Sequence, residues 1–143
     1  MDSVKFEGER KEEVEAAWTK AKLILRAGAE NGDEDAAVQL GLMEAAEAST
    51  ATITFRTDLT MNRSGETANG VATINPDFLA RNRDRYYLPL TVGHEFGHAF
   101  AQKSGRVGYS EMFALGVDNS LRRLLNMTPR ASHADRPLLR RQP

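Results

Sequence analysis

The sequence His-Glu-Phe-Gly-His at residues 94–98 constrains the fold of this chain more than any other feature. Two histidines four residues apart lie one turn apart on the same face of an α-helix, so both imidazoles can bind one metal ion. Glu95 lies beside them, where its carboxylate could take a proton from a water at an open position of that metal. The chain has three histidines, and two of them belong to this motif. The motif therefore predicts a metal-binding helix.

The residues around the motif favour the helix that it requires. Pro89 suits a first helical turn, and Gly105 suits the position just after a helix ends. Apolar residues at helical spacing supply a face for burial, namely Leu90, Val92, Phe96, Ala99 and Phe100. The alternative interpretation is a buried helix in which the two histidines are incidental.

Composition indicates a single soluble globular domain. The chain has 143 residues, of which 41% are hydrophobic and 27% are charged. A net charge of -1 gives no support for a nucleic-acid partner. No segment is long and apolar enough to span a membrane, and the charged first twenty residues do not resemble a cleavable signal peptide. Because cysteine is absent, there are no disulfides, and a metal would be held by histidine and carboxylate.

Hydrophobic periodicity predicts more helix than strand, in an α+β fold. Residues 9–27 have an amphipathic helical pattern, and a second helix is expected after the break at residues 31–33. Residues 51–57 and 71–74 alternate and are rich in β-branched side chains, so they predict two strands joined by a loop at 62–69. We expect these strands to pair as an antiparallel hairpin.

Residues 70–75 are the expected edge of this small sheet. An edge strand could bind an extended peptide by adding it to the sheet. The alternative is that the hairpin only covers the core, and the sequence leaves both interpretations open.

A catalytic zinc site needs three protein ligands, so the chain must supply one more. Glu111 is the expected ligand, because it follows a glycine-bounded loop at 105–108 and begins an apolar segment that would return against the motif helix. Its alternative role is to complement the dipole of a helix in its first turn. Asp118 is the second candidate, although Asp118 and Asn119 better fit the cap of a last helix at residues 120–125.

A site that hydrolyses an amide also needs a group that stabilises the developing oxyanion. Tyr109 and His133 are the candidates that we place in the catalytic set with Glu95, and Tyr86 and Tyr87 are further candidates. A histidine in a loop is also often simply exposed.

With these residues assigned, the chain resembles the HExxH zinc metallopeptidases found as type III secretion effector proteases and as C-terminal domains of Rhs and other polymorphic toxins. The similarity covers about residues 70–133. It includes residues 74–76 (Ile-Asn-Pro), 94–99 (the motif and Ala99), Glu111 with 115–117 (Leu-Gly-Val), 119–123 (Asn-Ser-Leu-Arg-Arg) and 129–132 (Pro-Arg-Ala-Ser). The N-terminal helices are similar only in general character.

This resemblance implies a zincin-like fold over one domain, residues 1–143, with a helical part at 1–50 and a catalytic core at 51–135. It implies one zinc ion per chain, and its ligands are His94, His98 and Glu111. Glu95 would be the general base. Two positions depart from the family, since Ser110 stands where a glutamate often precedes the ligand and His133 stands where a tyrosine is common.

The resemblance also implies where such a protein acts. Family members are delivered into another cell without a cleavable signal peptide and cleave a protein in its cytoplasm. The expected partners are therefore a protein substrate in the target cell and a cognate immunity protein or chaperone, with no nucleic acid and no membrane.

Two alternatives remain. Repressor-cleaving metallopeptidases of mobile elements are also similar at the motif and its arginine-containing approach, but residues 111–114 (Glu-Met-Phe-Ala) match them poorly. A zinc-stabilised binding module without turnover is the alternative from another class. It would need no base at Glu95 and would normally close the metal with four protein ligands.

Overall fold

The computed structural model of the chain describes residues 3–81 and 87–131, and it has the expected α+β architecture. Its strands are β1 (Val4–Glu7), β2 (Ile53–Thr57), β3 (Gly65–Ala68) and β4 (Val71–Ile74). Its helices are α1 (Lys11–Glu30), α2 (Glu34–Ala48), α3 (Pro76–Arg81), α4 (Leu88–Lys103) and α5 (Ser110–Leu124), with a 3-10 turn at Val107–Tyr109. Helix exceeds strand in these residues, as predicted. None of the helices in the described ranges is both long and apolar enough to cross a membrane.

The sheet is mixed, and this corrects the predicted hairpin. Its strand order is β1-β2-β4-β3, in which β1, β2 and β4 run parallel and β3 is antiparallel to β4. The segment 62–69 is therefore not only a loop, because it contains β3. Asn69 and Gly70 form the tight turn between β3 and β4, with φ angles of 53° and 78°. Positive φ at both positions is what a two-residue hairpin turn requires and what Asn-Gly readily supplies.

The edge of the sheet also differs from the prediction. Residues 70–75 are not an edge, because β4 lies between β2 and β3. The outer strand on this side is β3, and β1 forms the opposite edge.

The N-terminal part, which was expected to be helical, also contains a strand, since Val4–Glu7 pairs with β2.

Asn75 fixes the loop that leads into β3. Its Nδ2 donates to the carbonyl oxygen of Met61 at 2.6 Å, while its Oδ1 accepts from the amides of Asp77 and Phe78 at the start of α3. This side chain is buried. The stretch before β3 is thereby tied to the end of β4.

One hydrophobic core joins the sheet to α1, α2, α4 and α5. Trp18 lies at its centre, with ring centroids 5.1 Å from Phe96 and 5.7 Å from Phe55. Its indole N–H donates to Glu47 at 2.8 Å, so the polar edge of the ring is satisfied. Trp18 is thus a core residue.

Two glycines let α5 pack closely against the motif helix α4. A Cβ at Gly97 would lie 2.5 Å from the backbone N and Cα of Ala114, and a Cβ at Gly93 would lie 2.9 Å from Val117 Cγ1. The chain reverses after α4 at Gly105, which has a φ of 73°. α5 then runs unbroken through Asp118 and Asn119, so the predicted cap of a separate last helix is wrong.

Candidate metal centre and catalytic site

The motif lies in the middle of α4 and faces a cavity of about 390 Å³. One wall of the cavity is the stretch 63–67, which includes most of β3, and the opposite wall comes from α5 and the segment after it. The side chains that line it include Tyr87, Leu90, Thr91, His94, Glu95, His98, Asp118, Arg122 and Arg130. The cavity is therefore strongly polar, and it brings the motif together with residues from three other parts of the chain.

Both motif histidines have their Nδ1 atoms held by α5. His94 Nδ1 is 3.0 Å from Asp118 Oδ2, and His98 Nδ1 is 2.5 Å from Ser110 Oγ. The two ring centroids are 5.0 Å apart. Histidines that bind metals commonly use one ring nitrogen for the metal and hydrogen-bond through the other. In this arrangement Nε2 is the atom of each ring that would bind a metal.

Asp118 is the centre of a buried charged network that sequence reasoning did not foresee. Its Oδ1 accepts from Arg122 Nε at 2.7 Å, and Arg130 Nη1 donates to its Oδ2 at 3.2 Å. Burial acts to raise the pKa of Asp118. However, the hydrogen bond with His94 and the charge of Arg122 outweigh burial, so this pKa lies below its usual value. An ionised Asp118 therefore orients His94.

Asn119, the next residue on α5, fixes the segment that carries Arg130. Its Nδ2 donates to the carbonyl oxygen of Arg130, and its Oδ1 accepts from the Arg130 amide, both at 2.7 Å. Arg122 Nη1 also donates to the carbonyl oxygen of Thr128 at 3.3 Å. One turn of α5 thereby ties residues 128–130 to the wall of the cavity.

Glu95 is buried against β3. Its Oε1 accepts a hydrogen bond of 2.6 Å from the hydroxyl of Thr67. Burial raises the pKa of Glu95, while His94, the Thr67 hydroxyl and the charges of Arg130 and Arg63 act in the opposite direction. A carboxyl group whose pKa is raised from its ordinary value is suited to accept and then return a proton near neutral pH.

The predicted third ligand, Glu111, is not among the residues that line the cavity with the motif. Glu111 is exposed in the first turn of α5, although the predicted return of this helix is confirmed by the contact of its neighbour Ser110 with His98. Across residues 3–81 and 87–131, no three His, Asp or Glu side chains form a group that could hold a metal ion. Glu111 as a ligand stays a prediction.

The candidates for the oxyanion group have different positions. Tyr109 is 59% exposed in the 3-10 turn before α5 and does not line the cavity. Tyr87 does line it. His133 and Tyr86 lie outside the described residues. Arg130, to which the sequence pattern assigns no role in the site, is a cation in the cavity wall.

The two histidines fit a divalent metal that prefers imidazole, because α5 orients both rings and both line one cavity beside a carboxyl group. Comparison of the chain with protein-family models, with curated proteins and with solved structures found no match in any of the three. Function is therefore inferred from the geometry and chemistry of the site.

Proposed function

We propose that this chain is a zinc-dependent endopeptidase with a zincin-like arrangement of its motif helix and edge strand. The observation that carries the proposal is the pair of histidines on α4 with their Nδ1 atoms held by Asp118 and Ser110, beside a buried glutamate in the same cavity. His94 and His98 would hold the metal, with Glu111 as the proposed third ligand. A bound zinc would supply a Lewis acid that acidifies water and polarises the substrate carbonyl.

Glu95 is the proton carrier in this proposal. It takes a proton from the attacking water as the water oxygen bonds to the carbonyl carbon. It then gives that proton to the amine nitrogen as the C–N bond breaks. The raised pKa of Glu95, caused first by burial, supports this exchange in both directions.

Strand β3 is the proposed docking strand for the substrate. It is the outer strand of the sheet beside Glu95, and residues 63–67 line the cavity. An extended peptide that paired with its outer edge would lie across the cavity in front of Glu95. The backbone of β3 would then give affinity for any extended peptide, and the cavity would determine which peptide sequences are preferred.

The resemblance to effector and toxin peptidases supports a proposal about the target. We propose that the protein is translocated and acts on a protein in the cytoplasm of another cell. An immunity protein or chaperone would then protect the cell that makes it.

New protein N-termini in bacterial and eukaryotic lysates would test the proposal. Each lysate is incubated with the zinc-loaded wild type or with Glu95→Gln, which keeps the volume of the side chain but cannot take up the proton. Discrete new termini with the wild type alone are the expected result, and the lysate that yields them identifies the kind of target cell.

Two other outcomes have clear meanings. Equal cleavage by Glu95→Gln would remove Glu95 from the mechanism. Bound zinc with no cleavage in either lysate would favour the binding module, for which loss of stability on chelation is the expected property.

A further inference from the structure

We propose that Thr67 is a positioning residue that holds the Glu95 carboxyl group in its reactive orientation. The inference rests on the proposed function and extends the catalytic site from the motif helix to strand β3. It also gives β3 a second task in addition to docking a peptide.

The contact is short and directed at one oxygen. Thr67 Oγ1 lies 2.6 Å from Glu95 Oε1 and 3.3 Å from the backbone oxygen of the same residue. A hydroxyl has one proton to donate, and the shorter contact is the better hydrogen bond. The terminal torsion of a glutamate has a broad energy minimum, so a single directed bond fixes an angle that packing alone leaves loose. With Oε1 held in this way, Oε2 is the oxygen that accepts the proton.

The space around Oε2 is kept open from the same strand. Gly65 is two residues before Thr67, so the two residues face the same side of β3. A Cβ at Gly65 would lie 3.1 Å from Glu95 Oε2 and 3.0 Å from Glu95 Cγ. Such contacts would push the carboxyl group away from its position. Thr67 therefore holds one carboxyl oxygen of Glu95 with its hydroxyl. Gly65 leaves room for the other oxygen because it has no side chain.

A second contact fastens the hairpin that carries Thr67 to α4. The side-chain oxygen of Gln102 accepts from the amide of Gly70 at 2.7 Å, in the turn between β3 and β4. Gln102 is seven residues after Glu95, which is about two helical turns, so both side chains lie on the same face of α4. The hairpin is thus attached at Glu95 and at Gln102, and its distance from the motif helix is fixed.

Steady-state kinetics on the substrate found in lysates would separate positioning from simple packing. Thr67→Val keeps the shape of the side chain and removes the hydroxyl. It should lower kcat by about 10–100-fold, the range found when a hydrogen-bond partner around a metal site is removed, and change KM by less than about threefold. Thr67→Ser should recover most of the kcat. Thr73→Val on β4 is the matched control, because Thr73 is a strand threonine that does not line the cavity.

Unfolding of the chelator-treated protein provides a readout that is independent of cleavage. Thr67→Val should lower Tm by about 3–8 °C in the wild type, because a buried acceptor loses its donor. In a Glu95→Ala background the same change should have little effect, because the acceptor is gone. A double-mutant cycle then isolates the coupling of the two side chains.

These outcomes are decisive in different ways. A wild-type kcat in Thr67→Val, or a Thr67→Ser variant as slow as Thr67→Val, would overturn the positioning role while leaving the peptidase proposal intact. Equal Tm losses in both backgrounds would overturn the contact itself. A wild type that cleaves nothing would overturn the proposed function, and the positioning role with it.

Discussion

Replacing Gly97 by alanine should force the motif helix and α5 apart. The new Cβ would lie 2.5 Å from the backbone N and Cα of Ala114 and 2.6 Å from the carbonyl carbon of Phe113. These are backbone atoms that cannot rotate away, so we take the upper part of the usual range for overpacking, about 3 kcal/mol. The better helix propensity of alanine offsets about 1 kcal/mol of this loss of stability. The net loss is about 2 kcal/mol, which corresponds to a fall in Tm of about 4–8 °C.

Gly41→Ala is the matched control, because the same exchange occurs in a helix interior without the neighbour. Gly41 is exposed in α2, and no atom lies within 4 Å of the position its Cβ would take. Only the propensity gain of about 1 kcal/mol remains, so Tm should rise by about 2–4 °C. The two Gly→Ala variants should therefore change stability in opposite directions.

Thermal and urea denaturation, followed by circular dichroism in the presence of a chelator, would measure Tm and the free energy of unfolding of both variants without a contribution from metal binding. The zinc affinity of Gly97→Ala should also fall, because separating the helices moves Asp118 away from His94 and Ser110 away from His98. A Gly97→Ala protein as stable as the wild type would refute the close approach of the two helices. Loss of stability with unchanged zinc affinity would show that α5 does not orient the histidines.

Two further predictions concern the buried carboxyl groups. Asp118→Asn should lower zinc affinity by about 10–100-fold in competitive titration, because it removes the charge that orients His94, whereas Asp58→Asn at an exposed turn should not. Because burial raises the folded-state pKa of Glu95, the stability contribution of this group is full below about pH 4.5 and is lost as pH rises through the folded-state value. In chelator, Glu95→Gln should therefore gain stability relative to the wild type as pH rises above about 4.5, and a difference that does not change with pH would contradict this.

The motif helix could be predicted because its signals are local. The spacing of the histidines, Pro89 near the start and Gly105 after the end all lie within one segment, and α4 spans Leu88–Lys103 as these signals require. Glu95 follows directly from the same pattern. Tertiary contacts then bury this helix on all sides between residues 89 and 97.

The role of Asp118 could not be predicted from its neighbours. An Asp-Asn pair is a good helix cap locally, so the local sequence predicts the start of a new helix there. The deciding partners are His94, which is 24 residues away, and Arg122 one turn later on the same helix. Long-range hydrogen bonding outweighed the local preference, and α5 continued through the pair.

Strand β3 could not be predicted from its own residues for a similar reason. Three of its four residues (Gly65, Glu66 and Ala68) have low strand propensity, and none of the four is fully buried. It is a strand because β4 pairs with it across the Asn69–Gly70 turn. The Asn-Gly pair was the available signal. It predicts a hairpin centred on residues 69 and 70 rather than one between the two more hydrophobic strands.

The shared carboxylate of Asp118 links two events that are far apart in the sequence. Oδ2 of this group contacts both His94, a proposed metal ligand, and Arg130. The side chain of Asn119 in turn hydrogen-bonds to the backbone of Arg130. A metal that stabilises the orientation of His94 would therefore also stabilise the contact of residues 128–130 with α5. By thermodynamic reciprocity, the contact of residues 128–130 with α5 would strengthen metal binding by the same factor. A protein that bound residues 128–130 and drew them off α5 would therefore weaken metal binding without entering the cavity.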